Sequence, residues 1–136
     1  MTNEDSRLYV RAEPDVAAAM RLVRKTAEAA GFGAVESCYL ATVATELASN
    51  LWIHAGGGVF RVCMETEPPR LEITTTDNGP GIPDVDLALQ EGFSTAGGLG
   101  CGLPGVQRIM DGLEIVCDAG GGTSVRTWKL KTNDPR

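Results

Sequence analysis

The spacing of hydrophobic residues over the first 55 positions predicts one short strand and two helices. Apolar and polar residues alternate over residues 6–11, which is typical of a strand with one buried face. Between Pro14 and Gly31 the apolar residues recur every three or four positions, which predicts a helix that begins near a proline and ends at a glycine. The same period, with few charges, predicts a second helix over residues 34–55. Its core side is predicted to consist of Leu40, Val43, Leu47 and Leu51.

The second half of the chain favours strands that pair in hairpins. The predicted elements are strands at 59–65 and 71–76, a short helical segment at 84–90, a helix from 103 or 104 to 110, and strands at 113–117 and 124–130. Two adjacent helices and two hairpins are incompatible with an all-parallel sheet, because parallel strands need long crossover connections. The pattern therefore predicts an α+β fold, a two-layer α/β sandwich in which a mixed, mostly antiparallel sheet carries three helices on one face.

Composition and charge narrow the classes of partner. With 136 residues, of which 43% are hydrophobic, the chain is expected to form one domain over residues 1–136. Its formal net charge of −6 argues against nucleic acid as the main partner, since phosphate backbones attract basic surfaces. No apolar run approaches the roughly 20 residues that span a bilayer, and no signal peptide is recognisable, so we expect a cytoplasmic protein without a membrane segment. Four widely spaced cysteines and one histidine form no zinc-binding pattern.

A row of polar residues lies along the second predicted helix. Glu46, Asn50 and His54 are four residues apart, and residues at this spacing stack on one face of a helix. An exposed glutamate and a polar residue near a helix end are ordinary features. An acid, an amide and an imidazole in one row of an otherwise apolar helix instead favour a functional site.

An acidic residue followed by two glycines comes directly after the strand at 71–76. Asp77 presents a carboxylate at the strand end, and Gly79 and Gly81 turn the chain where little side-chain bulk intrudes. Asn-Gly and Pro-Gly are also common in simple turns. A carboxylate beside closely approaching backbone suits a flat heterocycle that carries an exocyclic amine.

A glycine-rich stretch over residues 92–105 runs into a predicted helix. Part of it, Gly100 to Gly105, matches the dinucleotide pattern G-x-G-x-x-G, but no strand precedes it as that fold requires. No Gly-Lys-Ser or Gly-Lys-Thr is present, so the P-loop pattern is missing as well. A glycine loop that leads into a helix N-terminus favours phosphate binding, because free backbone amides and the helix dipole attract anions.

Three glycine- or acid-containing boxes and a closing Gly-Thr occur in a fixed order. They are Glu46-x-x-x-Asn50 on a helix, Asp77-x-Gly79-x-Gly81 after a strand, Gly98-x-Gly100-x-Gly102 before a helix, and Gly122-Thr123 between the last strands. This order resembles the N, G1 and G2 boxes of the GHKL ATPase and kinase superfamily, with its Bergerat nucleotide-binding fold. Within it, the stretches 77–84 and 92–105 are most similar to the small serine/threonine kinases of bacterial partner switching, especially those of the stressosome.

The resemblance implies a role for each residue of these boxes. Asn50 is expected to bind Mg²⁺, Glu46 to be the catalytic base, and Asp77 to accept a hydrogen bond from the adenine amino group near Thr123. His54 lies near phosphate or caps its helix. The implied ATP-binding set is Asn50, His54, Asp77, Gly79, Gly81, Gly98, Leu99, Gly100, Cys101, Gly102, Leu103 and Thr123.

The implied activity is transfer of the γ-phosphate of ATP, with Mg²⁺, to a serine or threonine of a STAS-type antagonist protein. Such a kinase also binds a phosphatase regulator or a sigma factor, and a homodimer is compatible with the resemblance. The alternative is a nucleotide-responsive binding module, an anti-sigma factor or phosphatase activator, with little phosphotransfer. Phosphate transfer that is lost in Glu46→Gln indicates the kinase. Partner affinity that differs between ATP and ADP and survives Glu46→Gln indicates the binding module.

Overall fold

The order of helices and strands follows the predicted one. The computed structural model describes residues 5–77, 102–117 and 122–131. The elements are β1 (Asp5–Val10), α1 (Glu13–Ala29), α2 (Ala34–Ala55), β2 (Gly58–Thr66), β3 (Pro69–Thr76), α3 (Gly102–Ile109), β4 (Gly112–Cys117) and β5 (Thr123–Leu130). The helical segment predicted at 84–90 lies outside the described residues.

The five strands form one sheet in the order β1-β2-β3-β5-β4. All four neighbouring pairs of the described strands are antiparallel, so the predicted pairing in two hairpins is confirmed. The strand bounds differ in one informative place. The sequence pattern predicts Pro69 in the connection, but this proline opens β3 opposite Thr66. A proline is tolerated as the first residue of a strand, where its missing N–H costs no interior hydrogen bond.

The core lies between the sheet and the helices. The four predicted core residues of α2 are all buried, together with Phe60, Val62, Leu71 and Ile73 of the central strands. Burying side chains of this size contributes about 1.5–3 kcal/mol each relative to exposure. Helix α2 packs against both α1 and α3, which completes the helical layer and confirms the two-layer α+β sandwich. None of the described helices is long and apolar enough to cross a membrane.

Glycine ends α1 where the sequence predicts it. Gly31 has a φ of 96°, a conformation that glycine adopts without a steric penalty. Its N–H donates to the Glu28 carbonyl at 3.1 Å, and the Phe32 N–H donates to the Ala27 carbonyl at 3.0 Å. These two bonds form a Schellman motif, which satisfies carbonyls that the helix end leaves open. The motif turns the chain directly into α2.

Candidate active site

The two polar residues at the centre of α2 are drawn into the protein interior. Glu46 is 1% exposed and Asn50 is half-buried, one turn apart on a helix whose other buried residues are apolar except for Ser37 and Ser49. Glutamate is among the residues least often found fully buried, since an ionised carboxylate loses its hydration there. The position therefore has a cost in stability that a purely structural residue would not require, and this indicates a function.

Asn50 has the character of a metal ligand. Its Oδ1 atom is buried, and no donor among residues 5–77, 102–117 and 122–131 hydrogen-bonds to it. A buried amide oxygen without a donor loses free energy unless some group satisfies it. Amide oxygens are hard ligands of the kind that Mg²⁺ binds together with water and phosphate oxygens. The described residues therefore fit the Mg²⁺ that the family resemblance implies.

Asp77 and Thr123 are neighbours across the sheet. The backbone N–H of Asp77 donates to the Thr123 carbonyl at 3.0 Å, just beyond the β3–β5 pairing of Thr76 with Ser124. Side chains alternate along a strand, so Asp77 lies on the same side of the sheet as the buried Ile73 and Thr75, towards the helices. The structure thus brings together the two residues that the resemblance implies for adenine.

Two residues that the sequence patterns did not single out lie in this same row across the sheet. Gly58 of β2 approaches Asp77 from one side: a Cβ atom added to Gly58 would lie 3.2 Å from Asp77 Cβ. Cys117 of β4 pairs with Thr123 on the other side, with 3.9 Å between Cys117 Sγ and Thr123 Oγ1. The only signals in the sequence were the glycine triplet after α2 and a cysteine at the end of a strand.

Of the remaining predicted site residues, three lie within the described part of the chain, and the others lie outside it. His54 is exposed in the last turn of α2, and Leu103 has its side chain in the core, so Leu103 offers phosphate only its backbone amide. Gly102 is the first residue of α3, where backbone N–H groups have no partner within the helix. The predicted residues Gly79, Gly81, Gly98, Leu99, Gly100 and Cys101 lie outside the described residues.

A second cluster of potential metal ligands lies on the outer face of the sheet. Cys63, Glu65 and Glu72 have ligand atoms within 4.8 Å of one another. Burial raises the pKa of Glu72, but hydrogen bonds from Arg126 and Arg70 outweigh burial, and its net pKa lies below the ordinary value. Burial also raises the pKa of the Cys63 thiol to about 11. Arg70 and Arg126 already supply the positive charge beside Glu72, the position that a metal ion would take. We therefore interpret the cluster as part of an ion-pair network and not as a metal site.

Comparison with known proteins identifies the relatives of this chain. The family model of histidine kinase-, DNA gyrase B- and HSP90-like ATPases matches residues 38–133. The chain is 40% identical over 129 residues to the serine/threonine-protein kinase RsbT of Bacillus subtilis, which covers 93% of this chain and 97% of that protein. It is 33% identical over 96 residues to the anti-sigma F factor of Pasteuria penetrans, which covers 65% of this chain and 64% of the relative.

Solved structures give the same fold at low sequence identity. The RsbU and RsbW domains of a Mycobacterium tuberculosis protein align at a TM-score of 0.63 and 12% identity, over 92% of this chain and 32% of that one. A chain of the SiaB-SiaC complex of Pseudomonas aeruginosa aligns at a TM-score of 0.61 and 10% identity, over 93% of this chain and 89% of that one. The resemblance inferred from the sequence motifs is confirmed, and the chain belongs to the family of histidine kinase-, DNA gyrase B- and HSP90-like ATPases.

Proposed function

We propose that this protein is a serine/threonine kinase that transfers the γ-phosphoryl group of ATP to a STAS-type antagonist protein in a bacterial partner-switching pathway. The observation that carries the proposal is the burial of Glu46 one turn from Asn50 on α2. The 40% identity with a serine/threonine-protein kinase over 93% of the chain supports the same reaction class. We place the reaction in the cytoplasm, with ATP and Mg²⁺ as cofactors.

Glu46 is the proposed catalytic base. An acceptor hydroxyl loses its proton as the phosphoryl group transfers, and a carboxylate within hydrogen-bond reach takes that proton up. Glu46 accepts the proton from the partner's serine or threonine and orients the hydroxyl oxygen towards the γ-phosphorus. Its burial limits access of bulk water, which favours the partner's hydroxyl over hydrolysis.

The proposed phosphate site combines Asn50 with the start of α3. Mg²⁺, when bound, would neutralise negative charge on the phosphates during transfer. Asn50 holds the ion through Oδ1, and the backbone amides of Gly102 and Leu103 face the phosphates from the N-terminus of α3. The glycines and intervening residues at 98–101 complete the phosphate-binding loop in this proposal, and His54 approaches phosphate from the end of α2.

The proposed adenine site uses the row across β3 and β5. Asp77 accepts a hydrogen bond from the exocyclic amine, and Thr123 lies beside the ring. A carboxylate accepts but does not donate hydrogen bonds, so it discriminates against guanine, which presents a carbonyl oxygen at that position. Gly79 and Gly81 leave room for the ring.

Substitution of the proposed base tests the reaction. We expect Glu46→Gln to lower the rate of phosphate transfer from labelled ATP to a purified STAS-type protein by roughly 10²–10⁴-fold. Nucleotide affinity should be unchanged, because Gln keeps the size of the side chain and lacks only the basic carboxylate. The measurement is the initial rate of label transfer, with nucleotide binding followed separately by titration calorimetry.

Glu36→Gln is the matched control, since Glu36 lies in the first turn of the same helix, far along it from Asn50. That variant should transfer phosphate at the wild-type rate. Transfer by Glu46→Gln at the wild-type rate would remove the proposed base.

A second candidate function follows from the anti-sigma F factors among the relatives, at 33% identity in one case. In this role the protein binds a sigma factor or a phosphatase regulator, and the nucleotide controls that binding. Partner affinity should then differ between ATP and ADP, and the difference should persist in Glu46→Gln. Equal affinities with ATP and ADP would exclude this role.

A further inference from the structure

Gly58 lies where α2, β2 and β3 approach one another at the candidate site. A Cβ atom added there would lie 2.5 Å from the Thr76 carbonyl oxygen, 2.8 Å from Leu51 Cδ2 and 3.2 Å from Asp77 Cβ. Gly58 is not among the described glycines with positive φ, so its backbone does not need glycine for conformational reasons. Glycine is needed at this position because a side chain would have no space.

The two preceding glycines have different neighbours. Gly56 has a φ of 76° and nothing within 4 Å of an added Cβ, so only the left-handed turn that ends α2 requires glycine there. Gly57 has a φ of 130° and approaches the end of β1 at Val10 and Arg11. Of the triplet, therefore, Gly58 is the one in contact with Asp77.

The contact joins the two ends of the proposed nucleotide site. Leu51 directly follows Asn50 on α2, so the segment that touches Gly58 also carries the proposed metal ligand. Asp77, on the other side of Gly58, is the proposed base-binding carboxylate. Gly58 therefore lies between the helix segment that carries Asn50 and the residue proposed to bind adenine.

We propose that Gly58 is a positioning residue for nucleotide recognition, which sets the place of the Asp77 carboxylate relative to the helix that carries Asn50. This inference rests on the proposed function, in which Asp77 binds adenine. A methyl group at position 58 meets backbone on one side, and backbone yields less readily than a flexible side chain. The end of strand β3 at Thr76 must therefore move away from position 58, and Asp77 moves with it. The 2.5 Å contact with the Thr76 carbonyl oxygen must widen by roughly half an ångström or more. Because a misplacement of about 1 Å costs on the order of 10²-fold, we expect a loss of about tenfold in adenine recognition.

The preference for ATP over GTP is the appropriate measurement. We expect Gly58→Ala to reduce the ratio of ATP to GTP affinity about tenfold, because the carboxylate that reads the base is displaced. Asp77→Asn should abolish the preference, and the double variant should show the same ratio as Asp77→Asn alone. A general packing defect would weaken both nucleotides equally and leave the ratio unchanged, which would overturn the proposal. Gly33→Ala is the control, since an added Cβ there has nothing within 4 Å.

The variants in this experiment distinguish failure of the adenine assignment from failure of the proposed role of Gly58. If Asp77→Asn leaves the preference intact, the adenine assignment in the proposed function fails, and the role of Gly58 fails with it. If Asp77→Asn abolishes the preference but Gly58→Ala does not change it, only the role of Gly58 fails.

A measurement on the wild type covers the case in which Gly58→Ala does not fold. The backbone amide resonance of Gly58 should shift when ADP is added, and should not shift when Mg²⁺-pyrophosphate is added alone. An unshifted Gly58 resonance at saturating ADP would contradict the proposed contact with the base-binding end.

Discussion

Arg126 and Glu72 form a two-pronged ion pair on the outer face of the sheet. Arg126 Nε lies 3.2 Å from Glu72 Oε1, and Arg126 Nη2 lies 3.0 Å from Oε2. Arg70 Nε adds a third contact to the same carboxylate at 2.7 Å. Paired contacts of this kind are among the stronger hydrogen bonds in proteins, and the carboxylate is only 8% exposed. The network links β3, which leads directly into Asp77, to β5, which begins at Thr123.

The pH dependence of stability should report on Glu72. Its pKa is lowered in the folded state, so its stabilising contribution is complete above the unfolded pKa of about 4.3 and is lost as pH falls through the lower folded pKa. We expect Glu72→Gln to lower the free energy of unfolding by about 1–3 kcal/mol at pH 7, with a smaller further loss below pH 4 than in the wild type. Urea unfolding between pH 3 and pH 7 measures both effects.

Glu114 supplies the matched control for Glu72. It contacts the same arginine at 3.1 Å but is 59% exposed, and exposed ion pairs contribute little. Glu114→Gln should therefore follow the wild-type pH profile closely. Identical profiles for Glu72→Gln and Glu114→Gln would show that the partly buried network does not stabilise the fold.

Substitution of Asn50 should separate metal-dependent from metal-independent binding. Asn50→Ala removes the buried Oδ1 that fits Mg²⁺, so we expect it to abolish the extra affinity for ATP that Mg²⁺ confers on the wild type. A tenfold loss of affinity corresponds to about 1.4 kcal/mol of binding free energy. Since bound nucleotide stabilises the folded protein, the rise in melting temperature on adding nucleotide should become smaller. The measurement is a thermal shift with ATP in Mg²⁺ and again in EDTA. Retention of the full Mg²⁺-dependent shift by Asn50→Ala would exclude it as a metal ligand.

Local patterns predicted the helices better than the edges of the strands. The bounds of α2 agree with the prediction at both ends, because a run of residues without glycine or proline lies between Gly33 and Gly56, and these glycines interrupt it. Strand β2 begins one residue earlier than predicted, at Gly58, because Gly58 pairs with Val10 of β1. Pairing between distant strands decides such bounds, and a single-chain pattern does not contain that information.

In the candidate site, too, contacts within one helix could be predicted from the sequence pattern, whereas contacts between distant strands could not. The shared face of Glu46 and Asn50 follows from helical geometry alone. The hydrogen bond between Asp77 and Thr123 depends on β5 lying next to β3, which a pattern of hairpins does not specify and which only the family resemblance implied. Gly58 was missed because a glycine triplet after a helix looks like a simple chain reversal until its neighbours are known.

Cys63 should be unreactive in the folded protein. Burial is the main reason that its pKa rises to about 11, so at pH 8 about one thiol in a thousand is ionised, and only the thiolate attacks alkylating reagents. Cys38 is exposed on α2 and provides the internal comparison. We expect iodoacetamide at pH 8 to modify Cys38 about a hundredfold faster than Cys63, as followed by peptide mass spectrometry. The difference should disappear in urea, and equal rates in the native protein would contradict the burial of this thiol.

Gly112 should be intolerant of even one added methyl group. It pairs with Trp128 across β4 and β5, and an added Cβ would overlap the ring atoms Cζ2, Cε2 and Cη2 of that indole. The ring also stacks with the Arg126 guanidinium, 4.5 Å from its centroid. We expect Gly112→Ala to displace the indole, weaken this stacking and lower the free energy of unfolding by about 1–3 kcal/mol.

Urea unfolding and tryptophan fluorescence test this prediction together. Both should be measured in a Trp52→Phe background, because the chain contains two tryptophans and only Trp128 faces Gly112. Gly33→Ala is the control glycine substitution, since its added methyl has no neighbour within 4 Å. Because Gly33 is the N-cap of α2, this variant should change stability by about 1 kcal/mol or less and leave the emission maximum unchanged. If Gly112→Ala were as stable as Gly33→Ala and kept the same emission maximum, the indole could not be packed on the Gly112 backbone. The glycine would then serve neither the packing of β4 on β5 nor the placement of Arg126 beside Glu72.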